Sequence, residues 1–221
     1  MVKCLFGGPT FLFKMVPVKG MDASFLFQQV RDTIDLIKSV NGEPVVVVSD
    51  GNRTNQKLFK KFDTVENKPW LTKDGMFLLY DFVHLMKNIR NNWITEAEGD
   101  LHFKLNEKDC SAKWSHLLRL FNLEQESSLN DSGVRGLSTL NETSVKPKPI
   151  ERQKVSTCLR VFSEETAVAL RSYPGIDHTE VEETALFIET VVKMWKILNV
   201  RSEGKDVRKN DILASPIKFI R

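Results

Sequence analysis

Residues 45–62 read VVVVSDGNRTNQKLFKKF, and the change of pattern inside this stretch sets the fold class. Four consecutive β-branched residues, Val45 to Val48, have stiff side chains that disfavour a helix and suit a central strand covered on both faces. Ser49, Asp50 and Gly51 then place a carboxylate at the strand tip. A helix follows from Asn52 to Phe62, with Leu58, Phe59 and Phe62 turned inward. Strand, acid-bearing turn and helix in succession are the signature of an α/β layer protein.

Upstream, Phe27, Val30, Ile34 and Ile37 recur at spacings of three and four within Ser24 to Val40, the stripe of an amphipathic helix, and Asn41-Gly42 closes it. Ahead of that helix, the apolar flanks of Gly7-Gly8-Pro9 read as the two strands of a hairpin. Downstream, Asp63 to Gly75 holds Pro69 and several polar residues and reads as a loop. Met76 to Tyr80 is a second short buried strand, again ending in an acid, Asp81. The next helix carries His84, Met86, Ile89, Asn92 and Trp93, with Lys87 and Arg90 on its polar face. Residues 1–93 are therefore expected to run hairpin, helix, strand, helix, strand, helix.

Beyond residue 100 the reading is all-helical. Ala112 to Phe121, Glu151 to Leu170 and Thr179 to Val200 are the expected helices. Asn122 to Pro149, polar and containing Gly133, Gly136 and two prolines, reads as a long connection. Val155, Leu159, Phe162, Thr166 and Leu170 form one packing face, and Met194, Trp195, Ile197 and Leu198 are assigned to the core. The tail is charged, then strand-like at Ile217 to Ile220.

Composition narrows the function classes. With 41% apolar and 28% charged residues, 221 residues suffice for one substantial core or two modest ones. The formal charge of +3 permits a phosphate-facing patch without requiring one. Cys4, Cys110 and Cys158 are odd in number and far apart, which argues against a disulfide framework and fits a reducing compartment. Neither they nor His84, His102, His116 and His178 have zinc spacing. No apolar run approaches the roughly 18 residues of a spanning helix. Lys14 and Pro17 interrupt the apolar start, and no leader cleavage pattern follows them. Neither a Gly-Lys-Ser/Thr phosphate loop nor a nucleophile elbow occurs.

Asp50 and Asp81 carry the chemistry, because ligands of open α/β sheets bind beyond the carboxyl ends of the strands. Paired carboxylates at that position hold magnesium in metal-dependent nucleases; the plainer reading has each acid cap the helix after it. The Ser49 to Asn55 turn likewise reads either as an Asx turn with an N-cap or as a phosphate cradle beside Arg53. Lys87 and Arg90, three residues apart, present a positive stripe to a phosphate backbone. Lys146, Lys148, Arg152 and Lys154 form a second basic cluster, read as a nucleic-acid contact or as a solubilising segment.

Four blocks in this order, VVVVSDGNRTNQKLFKKF (45–62), LLYDFVHLMKNIRNNW (78–93), KVSTCLRVFSEETAVAL (154–170) and TALFIETVVKMWKILNVRS (184–202), together resemble the P-element-type transposases. The resemblance implies a partial RNase H-like α/β domain over residues 1–93, a helical insertion domain of the GTP-binding type over 94–203, and a tail over 204–221. It makes Asp50 the remnant of a three-acid, magnesium-binding catalytic set, with Asp81 a second catalytic candidate. Asp81, His84, Leu85, Lys87 and Asn88 to Asn92 match a family motif in which prolines stand at Phe82 and Val83.

The other two family acids fall before and after this chain, so DNA cleavage is not expected of it. The family's guanine-reading acid is replaced by Lys196 in Trp195 to Arg201, and its phosphate lysine by Thr139 in Thr139-Leu140-Asn141. GTP is therefore not expected, and Asn199 is the one cofactor-side residue retained. The implied partners are DNA, through Arg53, Lys87 and Arg90, and a related transposase subunit or a second copy, without a membrane. The implied location is the nucleus, with the cytoplasm as alternative. Two rival readings are a protein-interaction module built on the helices and an active magnesium nuclease uniting Asp50 and Asp81 with Asp22 or Asp32.

Overall fold

The computed structural model describes residues 1–4, 10–17, 20–95, 99–105, 107–129 and 136–199. Two compact units follow one another, Met1–Asp81 and Phe82–Arg221. In the first, β1 (Val2–Lys3) and β2 (Thr10–Phe11) pair antiparallel as the expected hairpin, whose turn lies outside the described residues. Helix α1 (Ala23–Ser39) starts where the Asp22 carboxylate accepts the Phe25 N–H at 2.7 Å, the usual way of satisfying an orphan first-turn donor. It ends where Asn41 turns the chain at φ 60°. A Cβ on Gly42 would sit 2.7 Å from Cγ2 of Ile37, so the chain can fold back there only with glycine.

Next come β3 (Val46–Ser49), α2 (Arg53–Phe59), β4 (Thr64–Val65), β5 (Lys68–Thr72) and β6 (Phe77–Tyr80). They form a four-stranded sheet in the order β3-β6-β5-β4, with β3 and β6 parallel and β5 antiparallel to both its neighbours. Two expectations are corrected here. The segment 63–75 is a hairpin rather than a loop, because Asn67 takes φ 60° and closes a two-residue turn between Val65 and Lys68. Among the described strands β3 is an edge, not a central strand covered on both faces. Val47 and its registered partner Leu78 pack toward Ile34, Leu58, Phe59 and Phe62. The alternate residues Val48 and Leu79 remain 59% and 45% exposed. Period-two alternation thus turns Val48 to solvent while Val47 faces the core under α1 and α2.

The second unit contains α3 (Phe82–Thr95), β7 (Asp100–Leu105), β8 (Lys108–Lys113), α4 (Trp114–Leu129), α5 (Glu142–Val145), a 3-10 turn (Glu151–Gln153), α6 (Val155–Val161), α7 (Glu164–Ser172) and α8 (His178–Leu198). Its α3 places Met86 and Trp93 in the unit's own core, so the units divide before this helix, and the expected 93/94 boundary falls inside its last turn. Trp93 is fully buried, donates its indole N–H to the Ala112 carbonyl at 2.8 Å, and meets Trp114 and Phe187 edge-on. Such contacts add to the large area an indole buries.

The region beyond 100 is mostly but not wholly helical. β7 and β8 pair antiparallel over six residues each, and Leu101, Phe103 and Leu105 turn one way along β7 while His102 and Lys104 stay exposed. Helix α4 runs on to Leu129, and α5 opens with a capping box between Asn141 and Ser144, so the long 122–149 connection is shorter than expected. The expected 151–170 helix breaks at Ser163, whose hydroxyl caps α7 by accepting the Thr166 N–H at 3.1 Å. Phe162, Thr166 and Leu170 are buried as expected, Val155 and Leu159 only partly. Ile197 and Leu198 are exposed rather than core. The strand-like Ile217 to Ile220 lies outside the described residues. No helix among the described residues is long and apolar enough to cross a membrane.

His116 on α4 ties that helix to α8. Its Nδ1 lies 2.9 Å from the Thr184 hydroxyl, which also accepts the Lys113 N–H at 3.0 Å. Burial pushes the imidazole pKa below 6.5, and Lys113 pushes the same way. Below about 6.5 the unfolded chain then binds a proton that the folded chain resists, so His116 costs stability as pH falls from there toward its folded pKa. Urea midpoints measured between pH 7.5 and 5.5 should fall less steeply for His116→Asn than for the parent chain; parallel pH profiles would contradict this.

Candidate functional site

The sheet brings the two strand-tip acids together. Ser49 and Tyr80 are the last registered pair of β3 and β6, and the Asp81 N–H donates to the Ser49 carbonyl at 2.7 Å. Asp50 and Asp81 thus leave the same end of neighbouring parallel strands, which run about 4.8 Å apart. Asp50 is half-buried, and its Oδ1 accepts the Asn52 N–H at 3.1 Å and the Asn55 side-chain amide at 2.8 Å. Asn52 in turn caps α2 by accepting the Asn55 N–H at 2.9 Å, and Gln56 donates to the Gly51 carbonyl. The turn is therefore an Asx turn plus an N-cap, the plainer of its two readings. Arg53, the first residue of α2, is exposed.

The additional acids of the nuclease reading are elsewhere engaged. Asp22 caps α1, and Asp32, on the exposed side of α1, accepts from Gln28 at 2.6 Å. Among the described residues, no three His, Cys, Asp or Glu side chains are grouped so as to hold a metal. By carboxylate count Asp50 and Asp81 fit one magnesium, an ion that binds through one or two carboxylates and keeps several waters. They do not make up the fuller carboxylate set of a two-ion cage.

In the second unit the expected phosphate-facing stripe is half corrected. Lys87 is partly exposed, but Arg90 is 0% exposed and points into the protein. Its Nη1 donates to the Thr157 hydroxyl at 2.9 Å, its Nη2 to the Arg152 carbonyl at 2.8 Å and its Nε to Asn91 at 3.1 Å. The guanidinium therefore fastens α3 to the 3-10 turn and α6. Burial pushes its pKa below the ordinary value, and the nearby charge of Arg152 acts in the same direction. Beside it the Cys158 thiol donates to the Met86 carbonyl, and burial raises its pKa to about 11. A thiol so placed is protonated and inert.

The two positions at which the nucleotide block departs also converge. Thr139 donates to the Arg160 carbonyl at 2.9 Å and lies 3.0 Å from the Ser163 hydroxyl. Lys196 reaches Glu164 at 2.6 Å in the first turn of α7. Asn199 caps α8, its N–H donating to the Trp195 carbonyl at 2.8 Å. Glu164 did not stand out as a site residue in the sequence, although Ser163-Glu164-Glu165-Thr166 carries the N-cap and first-turn acids of a helix start. Those acids occupy the end of α7 where a phosphate would otherwise be favoured.

Residues 83–210, more than half the chain, match the family model described as TNP-like, GTP-binding insertion domain. The chain belongs to this family. Outside the family model, the Transposable element P transposase of Drosophila melanogaster is 28% identical over 162 residues, which cover 70% of this chain and 20% of that protein. The solved Drosophila P element transposase strand transfer complex is similar in structure, with a TM-score of 0.60 and 25% identity over 82% of this chain and 39% of that one. This insertion-domain protein thus spans a fifth of its curated relative's length and is P-element-transposase-like over both units.

The bonds of Arg90 make a measurable claim. Arg90→Ala should lower unfolding stability by at least about 2 kcal/mol, since it leaves a cavity and strips the Thr157 and Arg152 acceptors of a charged donor. Urea denaturation reads this directly, and an unchanged midpoint would remove Arg90 from the architecture.

Proposed function

We propose that residues 1–221 form a transposase-related module that associates with DNA and does not cleave it by itself. The observation that carries this reading is the strand-tip site. Asp50 and Asp81 stand there as a pair, Asp50 has one oxygen committed to its own turn, and no third ligand joins them among the described residues. Phosphoryl transfer by two metals needs ions bridged and held on both sides of the reacting phosphate. A single magnesium at Asp50 fits the site without supplying that arrangement. Family membership and the likeness to the P element strand transfer complex support DNA as the partner.

GTP is not part of the proposal. A guanine base offers two donors to an acceptor, and the ammonium of Lys196 accepts nothing. It is also paired with Glu164, and Glu164 and Glu165 lend negative charge to the place where phosphates would dock.

The test is binding of the purified chain to short duplex DNA across a salt series with magnesium, reading product length from the same samples. The expected result is binding that weakens steeply with salt, with intact DNA and no change on Asp50→Ala. Cleavage abolished by Asp50→Ala would overturn the proposal. Absence of both binding and cleavage would replace it with a protein-association module, a reading favoured by the uncharged edge strand β3 and the exposed Val48 and Leu79.

A further inference from the structure

We infer that Lys146, Lys148, Arg152 and Lys154, together with Lys87 of α3, form the surface through which this chain holds the phosphate backbone of duplex DNA. The inference rests on the proposed DNA association and gives it a place. Three observations carry it.

The first is order. Lys146 ends α5, with its N–H on the Glu142 carbonyl at 2.8 Å. The Lys148 carbonyl accepts the N–H groups of Glu151 and Arg152 at 2.9 and 3.1 Å, and the Glu151 carboxylate accepts the Lys148 N–H at 2.8 Å. Pro147 is buried, and it and Pro149 restrict the backbone between the lysines. A solubilising linker has no need of such bracing.

The second is anchorage. Arg90 holds the Arg152 carbonyl, and Thr157, which accepts from Arg90, donates to the Lys154 carbonyl at 2.8 Å. The basic turn is thereby fixed to α3, the helix that also carries Lys87. Side chains presented from a braced turn lose less freedom when they bind.

The third is charge. Elsewhere in the unit five cations are neutralised: Lys104 by Asp109, Lys108 by Glu183, Arg119 by Glu180, Arg171 by Glu182 and Glu189, and Lys196 by Glu164; Lys113, Arg160 and Lys193 join none of these pairs, but they stand singly on β8, α6 and α8. Lys87, Lys146, Lys148, Arg152 and Lys154 make no ion pair among the described residues, and Lys146, Lys148 and Lys154 are exposed. The acids nearby are Glu142 and Glu151, the second already bound to the Lys148 N–H. Positive charges left unpaired on a fixed turn suit a polyanion, and they contact phosphates without reading bases.

The experiment compares the full chain with two charge-matched double variants, Lys148→Gln/Lys154→Gln and Lys104→Gln/Lys108→Gln, in duplex DNA binding across a salt series. The first should flatten the log–log salt slope by about 2 and weaken binding about tenfold or more near 0.1 M salt; the second should leave the slope within about half a unit. All four residues are exposed, and thermal melts confirm that each variant is folded. Equal losses in both variants, or none in the first, would overturn the surface assignment while leaving DNA association intact. No salt-dependent binding by the parent chain would overturn both readings. Tighter binding to phosphatidylserine vesicles than to duplex, lost in the first variant, would overturn the choice of DNA.

Discussion

A guanidinium with no exposure and no carboxylate partner persists only if its donors are satisfied and its neighbours cannot move away. Arg90 meets that condition by giving three of its donors to Thr157, Arg152 and Asn91, two of which lie more than sixty residues further along the chain. The rest of the second unit is arranged around this fixed charge. Helix α3 must lie along the 151–157 segment, α6 must start where Thr157 can accept, and the Cys158 thiol beside it is kept protonated by burial against the opposing pull of the guanidinium. Deeper in the same core Trp93, one turn along α3, locks the β7–β8 hairpin through the Ala112 carbonyl. One helix therefore joins both halves of the unit.

The two units divide the functional residues between them. In the first, parallel strands β3 and β6 deliver Asp50 and Asp81 to one sheet end, and the turn after Asp50 spends part of its carboxylate on backbone and amide donors. In the second, a braced turn carries unpaired positive charge, and the start of α7 is filled by Glu164 and Lys196. On the proposed reading, the braced turn holds a polyanion and the acid pair is too sparse for two-metal chemistry.

Much of this was legible in the residues, for identifiable reasons. The valine run, the acid-ended strands and the 3.6-residue stripes gave the α/β layer and most helices, because period and β-branching are local properties. Pro69 concealed the β4–β5 hairpin, although Asn67 was the residue able to take a positive φ there. The β7–β8 hairpin shows in the sequence as the alternation of Leu101, Phe103 and Leu105, a signal too short to outweigh the helical periodicity of the residues after it. The direction of Arg90 could not be read locally. A basic residue three positions from Lys87 looks solvent-facing until its distant acceptors on Arg152 and Thr157 are known. The same long-range contacts order the 146–154 cluster, which the sequence leaves open between a nucleic-acid contact and a solubilising segment, and a separate set brings Thr139 and Lys196 to one helix start.

The most direct test of the account is lysine modification by an amine-reactive reagent, read site by site by mass spectrometry with and without duplex DNA. The account predicts that Lys146, Lys148 and Lys154 become slower to react when DNA is bound, while Lys104 and Lys108 react unchanged. Protection spread evenly over all these lysines, or confined to Lys104 and Lys108, would contradict it.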